Sequence, residues 1–163
     1  MLEPQTLRRF NQWFAMERQR DEPGHRDLTE DQAWLRLCAR EGMWAAFDWG
    51  LYYLLDAEND QMLGEVGFQF RRRGFGPEFD GFPETSWAVT ASHQRRGFAA
   101  EAMGCVLKRY DRASEGRRAV ALIDQANQPS LRLAEGLGFR RYSTAVFDNT
   151  GHFLLERCKR ASS

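Results

Sequence analysis

The chain has 163 residues, with 23 Lys and Arg against 23 Asp and Glu, so its formal charge is zero with the histidines neutral. That length suits one domain with a real core, taken here as residues 1–163. The charge balance excludes bulk electrostatic attraction to nucleic acids or membranes. No apolar run reaches the roughly 20 residues of a membrane span. The opening "MLEPQTLRRF" lacks the basic-then-apolar order of a signal peptide, so a soluble cytoplasmic protein is expected.

Two helices come first. Leu7, Phe10, Trp13 and Phe14 share one helical face over residues 5–19, and Thr29-Glu30-Asp31-Gln32 is a capping-box pattern that starts a second helix with Trp34, Leu37 and Cys38 inward. "GLYYLLDA" (50–57) and "MLGEVGFQF" (62–70) read as strands around the polar turn "ENDQ". A loop, "RRRGFGPEFDGF" (71–82), leads to a third strand containing "TSWAV" (85–89).

A helix over 98–113 follows, with Lys108 and Arg109 near its end and Gly116 beyond it. "AVALI" (119–123) is a buried-type strand. The next helix runs from about Pro129 to Leu137 and ends on Gly138 as a left-handed cap, with Phe139 as its apolar follower. "RRYSTAVFD" and "HFLLERC" flank "NTG" as a hairpin. Cys38, Cys105 and Cys158 are odd in number and far apart, which fits small buried apolar residues better than disulfides or a zinc site. His25, His93 and His152 are scattered and no metalloprotease or serine-hydrolase motif is present, so no metal is expected.

"QRRGFAAEA" (94–102) lies between a strand and a helix. The first turn of a helix has free N–H groups and the positive end of its dipole, and glycine lets a bulky anion approach the backbone. A pyrophosphate fits such a corner, with Arg95 and Arg96 adding charge, although the short pattern alone also fits an ordinary capping turn.

With "NQPS" at 127–130 after the next strand and "EGLGF" at 135–139, this segment resembles the GNAT superfamily of acyl-CoA-dependent N-acyltransferases. "ETSWAV" and "LIDQANQPSLRLAEGLGF" look most like the Rim-type branch, which acetylates N-termini of ribosomal proteins; the resemblance spans about Leu51 to Cys158. It implies an α/β domain of the α+β type, with a mixed, mostly antiparallel central sheet flanked by helices. It implies acetyl-CoA as co-substrate, with the loop Gln94, Arg95, Arg96, Gly97, Phe98 and Ala99 holding the pyrophosphate through backbone N–H groups. The backbone of Trp87, Ala88, Val89 and Thr90 would pair with pantetheine like an added strand, and one N–H there would face the thioester oxygen. Asn127 matches an asparagine that binds the pantetheine arm and Ser130 a serine near the CoA sulfur; both residue types also cap helices.

Two departures stand out. Many relatives place a tyrosine four residues before the glycine of "GF" to protonate the thiolate, and here Ala134 holds that position, leaving Ser130 as the substitute. Relatives also open with an outer strand, whereas this sequence starts almost directly with the first helix, so that either the numbered start is late or the meander lacks that strand. The edge of "LYYLL" then needs covering, by the N-terminal segment or by a second copy in a homodimer.

Acyl transfer needs a neutral amine. An α-amine with a pKa of about 7.7–8.0 is partly neutral at pH 7.5, whereas a lysine near about 10.4 costs about 4 kcal/mol to deprotonate there. Glu84, before the third-read strand, is the candidate base, acting directly or through water; the alternative is an exposed loop-end carboxylate. Arg73, Phe75, Phe79 and Glu84 are assigned to acceptor binding. The favoured function is acetyl transfer to a primary amine, on a peptide N-terminus or a small molecule. A non-catalytic acyl-CoA-binding or sensing module and a ribosome- or RNA-associated protein using Arg71, Arg72 and Arg73 are the alternatives.

Overall fold

The computed structural model describes residues 1–19, 27–114 and 117–158; His25 and Gly116 lie outside the described residues. Its first element is the strand that the sequence reading leaves out. Residues Leu2–Pro4 (β1) pair antiparallel with Leu51–Leu55 (β2), Leu2 opposite Leu54 and Pro4 opposite Tyr52. Three residues are too few to show an alternation, and their proline is tolerated because an edge strand needs no donor on its open side. The Met1 ammonium donates to the Leu55 carbonyl at 2.6 Å and the Gln5 N–H to the Leu51 carbonyl at 2.9 Å. The N-terminal segment therefore covers this edge, and the edge-based reason for a second copy falls away.

A short 3-10 turn, Leu7–Arg9, precedes the helix Phe10–Glu17 (α1). The capping box forms as its spacing predicts at the start of Glu30–Phe47 (α2). The Gln32 N–H donates to the Thr29 hydroxyl at 3.2 Å, and the Thr29 N–H to the Gln32 side chain at 3.0 Å. The inward stripe of α2 differs from expectation. Ala33, Leu37 and Arg40 face the core, while Trp34 is 44% exposed and packs edge-on against Phe10, and Cys38 is half-buried.

That stripe is set by a buried ion pair. Arg40 donates twice to Glu65 on the strand Met62–Gln69 (β3), at 2.6 and 3.2 Å. Glu65 also accepts from Gln5 at 2.9 Å and from the Trp13 indole at 2.8 Å, and the Arg40 guanidinium lies over the Trp13 ring. Desolvating two charges is costly, so partners on the remaining polar sites matter: Gln5 after β1 and Trp13 on α1 supply them, while the buried Arg40 Nε has none among the described residues.

The rest follows in chain order: a single-turn helix, Pro77–Asp80 (α3), inside the loop over 71–82; then Glu84–Val89 (β4), Phe98–Ala113 (α4), Ala119–Asp124 (β5), Gln128–Gly136 (α5), Arg140–Phe147 (β6) and Thr150–Arg157 (β7). The seven strands form one mixed sheet in the order β1-β2-β3-β4-β5-β7-β6, with only β4 and β5 parallel. The main core lies between this sheet and α4 and α5, around Phe68, Met103, Val106 and Leu131; a second core holds Trp13, Leu37 and Tyr53 under α1 and α2.

Gly138 takes φ 87° and the Phe139 N–H returns to the Ala134 carbonyl at 2.9 Å, the expected helix end. The hairpin turns on Asp148 and Asn149, both left-handed at φ 52° and 64°, one residue before the predicted "NTG". Cys105 and Cys158 are exposed rather than buried, because the inward stripe of α4 is Ala102, Met103, Val106, Leu107 and Tyr110, which turns Cys105 outward.

Arg40→Met leaves the Glu65 carboxylate buried without its cation. We expect a loss of about 3–5 kcal/mol of stability, read as a lower urea midpoint. Wild-type stability in this variant would show that Glu65 finds water or another partner.

Candidate active site

Strands β4 and β5 share one parallel register pair, Glu84 with Val120. The Val120 N–H donates to the Pro83 carbonyl and the buried Thr85 hydroxyl donates to the Val120 carbonyl, each at 3.0 Å. Beyond that clasp β4 stays with β3, ending on Val89 opposite Gly64, while β5 stays with β7, ending on Asp124 opposite His152. A wedge opens between them. The Thr90 N–H donates to the Leu63 carbonyl, so by strand alternation the N–H and C=O groups of Trp87 and Val89 face the open side. There the Gln94 amide donates to the Val89 carbonyl at 3.1 Å.

The wedge and the starts of α4 and α5 bound a cleft of about 580 Å³. Its lining brings together Trp87, Ala88 and Val89 from β4, Gln94, Arg95, Gly97, Phe98 and Ala99 from the following loop and helix, and Asn127 and Ser130 from the start of α5. Thr90 and Arg96 stand outside this lining: the Thr90 hydroxyl faces the His93 ring at 2.9 Å, and the Arg96 guanidinium stacks over Phe98.

Gly97 is the N-cap of α4 at φ 84°, two residues after Arg95 at φ 59°. A Cβ at Gly97 would meet nothing within 4 Å, so it is the left-handed backbone, not crowding by the protein, that calls for glycine. Asn127 does cap α5, its side-chain oxygen accepting the Ser130 N–H at 3.1 Å. The Ser130 hydroxyl oxygen accepts from the Trp87 indole at 3.3 Å across the wedge, which leaves its own hydrogen to donate.

A second, smaller cavity of about 200 Å³ shares Trp87, Asn127 and Ser130 with the first. Gln69, Arg73, Glu84, Ser86, Asp124 and His152 complete most of its lining. Glu84 is not an exposed loop-end carboxylate: it is 5% exposed, and Arg73 donates to both of its oxygens, at 2.6 and 2.7 Å. Arg73 lies over the Phe147 ring, and Phe75 packs edge-on against both Phe147 and Phe79. Phe79 itself is 1% exposed in a small core with Val120 and Leu154, so it supports the wall and has no surface to offer an acceptor.

His152, Asp124 and Gln69 join this cavity without a signal from the sequence pattern. His152 arrives because β7 inserts between β5 and β6, which sets it opposite Asp124. Among the described residues no group of three or more His, Cys, Asp or Glu side chains is placed to hold a metal ion.

The model of an acetyltransferase (GNAT) domain matches residues 2–140. The chain belongs to the GNAT acetyltransferase family. No curated protein matches it. Among solved structures, this GNAT chain is 66% identical to a Bordetella pertussis protein assigned to the GnaT-family acetyltransferases, covering 96% of this chain and 94% of that one, with a TM-score of 0.93. It shares its fold with a Vibrio cholerae protein described as a ribosomal-protein-serine acetyltransferase, at 17% identity, 96% and 92% coverage and a TM-score of 0.74. A ribosomal L7/L12 alpha-N-protein acetyltransferase solved with coenzyme A superposes at a TM-score of 0.77 and 13% identity, covering 96% of this chain and 92% of that one. At Ala134, where many GNAT enzymes have a tyrosine, the side chain is fully buried in the main core, so α5 sends no proton donor into the cleft from that turn.

Thr85→Val removes the hydroxyl that donates to the Val120 carbonyl at the apex of the wedge, beside the Thr85 backbone N–H that the parallel pair supplies. One hydrogen bond lost from an acceptor that keeps a second donor costs about 0.5–1.5 kcal/mol, and we expect that loss in chemical denaturation. An unchanged midpoint would show that the clasp does not hold the strands together.

Proposed function

We propose that this acetyltransferase moves the acetyl group of acetyl-CoA to a primary amine, on a peptide N-terminus or a small molecule, by direct attack in a ternary complex. The observation that carries the reading is the meeting of two cavities at Trp87 and Ser130, one with an open strand edge and a helix start, the other polar and lined by ionisable side chains. The GNAT family supplies acetyl-CoA as the donor.

In this reading the turn from Arg95 to Ala99 holds the pyrophosphate on its N–H groups, at the positive end of α4. The Trp87 and Val89 backbone groups that face the wedge pair with the pantetheine arm as a further strand would. An N–H on that edge stabilises the oxyanion that forms when the amine nitrogen attacks the thioester carbon. As the carbon–sulfur bond breaks, the Ser130 hydroxyl relays a proton to the departing thiolate, taking one from solvent as it gives its own, so the serine ends neutral. Glu84, neutralised by Arg73 on both oxygens, fixes that guanidinium and the cavity wall around the amine. The inward turn of Arg73 also breaks up the basic triplet on which an RNA-binding reading depends. Among the described residues no helix is long and apolar enough to cross a membrane, and a cytoplasmic location, where acetyl-CoA is at hand, completes the proposal. Thiol release from acetyl-CoA, measured across free peptides and small amines, tests it; no release with any acceptor would leave only a binding module.

Gly97→Val forces a β-branched residue into a left-handed turn and stands a side chain in the open space at the cleft lining. We expect loss of coenzyme A binding by titration calorimetry in a folded protein, and wild-type affinity would remove this turn from the phosphate site. Arg95→Ala or Arg96→Ala should weaken binding only in part, more at low salt than at high.

Ser130→Ala should slow turnover about 10- to 100-fold without changing coenzyme A affinity. The deficit should shrink as pH rises towards the thiol pKa of about 8.5, where a free thiolate departs more easily. A deficit constant over pH would assign the Ser130 hydroxyl to its hydrogen bond with Trp87 and to packing alone.

A further inference from the structure

We propose that His152 takes the proton from the attacking amine, and that this base suits the chain to α-amines rather than lysine side chains; the proposal rests on the acetyl-transfer reading above. Three ionisable groups able to accept a proton line the smaller cavity among the described residues: Glu84, Asp124 and His152. Glu84 has both oxygens engaged by Arg73, so protonating it would break a buried two-point ion pair. Asp124 accepts the Ala126 N–H at 2.7 Å in the turn leading to α5. His152 is half-buried and its ring is oriented by its own hairpin.

That hairpin also selects the tautomer. The Thr150 hydroxyl donates to the Phe147 carbonyl at 3.1 Å, so towards the neighbouring ring its oxygen can only accept. The His152 Nδ1 faces this hydroxyl oxygen at 3.4 Å and the Thr150 carbonyl at 3.1 Å. With two acceptors before it, Nδ1 carries the hydrogen, and the lone pair is on Nε2. The ring stands edge-on to Phe147, which in turn lies under Arg73. Asp124 stands opposite His152 in register on β5, the Arg73–Glu84 pair lines the same cavity, and β6 presents Ala145 opposite.

The proton balance points the same way. Passing a proton from an α-amine of pKa about 8 to an imidazole near about 6.5 is uphill by about 1.5 units, against about 4 units to a carboxylate. From a lysine near about 10.4 the step to imidazole is again about 4 units. The amine nitrogen bonds to the acetyl carbon, its proton goes to Nε2, the carbon–sulfur bond breaks, and the thiolate is protonated from the Ser130 side. His152 then returns its proton to solvent.

The test uses the full chain with acetyl-CoA and two probes: lysine-free peptides with a free Ser or Ala N-terminus, and an Nα-acetylated peptide with one lysine. We expect His152→Gln to lower kcat/KM on the free N-terminus about 10- to 100-fold at pH 7. It should also abolish the acid limb of the pH–rate profile and leave coenzyme A affinity unchanged. Imidazole added to His152→Ala should restore part of the rate, which a packing defect would not allow. Glu84→Gln should lower the rate but keep the limb. A His152→Gln enzyme with the wild-type pH profile, or a limb lost in Glu84→Gln instead, overturns the base; preference for the lysine peptide at pH 7 overturns the acceptor class. Nitrogen-15 NMR of the wild-type histidines decides independently of turnover or variant folding: Nδ1–H with a bare Nε2 is expected at His152, and the opposite tautomer overturns the proposal. Failure of the wild type to consume acetyl-CoA with any acceptor counts instead against the acetyl-transfer reading.

Discussion

Everything at the candidate site depends on two parallel strands that touch at one point. A parallel pair joined through a helix normally zips along its length, because each unpaired backbone group in a sheet interior forfeits a hydrogen bond. Here β4 and β5 meet at Glu84 and Val120 and then part. Part of the cause lies on the other edge of β4. Gly64 of β3 has no room for a side chain, since a Cβ would collide with the Ala88 carbonyl, so β4 is drawn tightly to β3 at the end where it leaves β5. The clasp of Thr85 on Val120 terminates the pairing cleanly, and the Trp87–Ser130 hydrogen bond spans the gap that follows. The unpaired edge is costly to the free protein, a cost that the proposed pantetheine pairing would offset.

A strand that must stay in register while its neighbour departs needs a rigid backing, and β3 provides it. One face of β3 carries Glu65, tied to α1, α2 and the N-terminal segment through Trp13, Arg40 and Gln5; Val66 on the other face packs into the main core with Phe68 and Met103. Glu65 also sits opposite Ala88 in the β3–β4 ladder. The buried ion pair thus fixes the position of the strand on which the cleft is built. Such a pair adds little net stability over a well-packed apolar substitute, but it tolerates no alternative placement of α2. Specificity of arrangement is the better account of why it is there.

The parts of this architecture that could be read from the sequence are those made of neighbouring residues. Thr29 with Gln32, Gly138 with Phe139, and the run from Gln94 to Ala99 each state a local geometry, and each folds as its chemistry dictates. Where the outcome depends on partners far along the chain, the sequence is ambiguous. Trp34 looks like a core residue until Arg40 claims the inward stripe of α2. Arg71, Arg72 and Arg73 are indistinguishable as a triplet, yet one of them turns inward to Glu84. Leu2, Glu3 and Pro4 are too few to announce a strand, and His152 acquires its surroundings only through the insertion of β7 between β5 and β6.

This division between local and distant construction has a functional counterpart. The larger cleft is lined by two short segments, 87–100 and 126–133, that carry an open strand edge and two helix starts. The smaller cavity is assembled from residues on β3, β4, β5, β7, the loop after β3 and the start of α5. Its outer wall, where Arg73 lies over Phe147 and Phe147 meets His152, belongs to a hairpin held to the sheet along β7 alone, while β6 is the exposed outer edge. Substitutions at exposed positions of that hairpin or of residues 71–82 reach the smaller cavity without touching the lining of the larger cleft. In the proposed reading, such a scaffold separates the backbone-built donor site from the side chains that would shape the acceptor side.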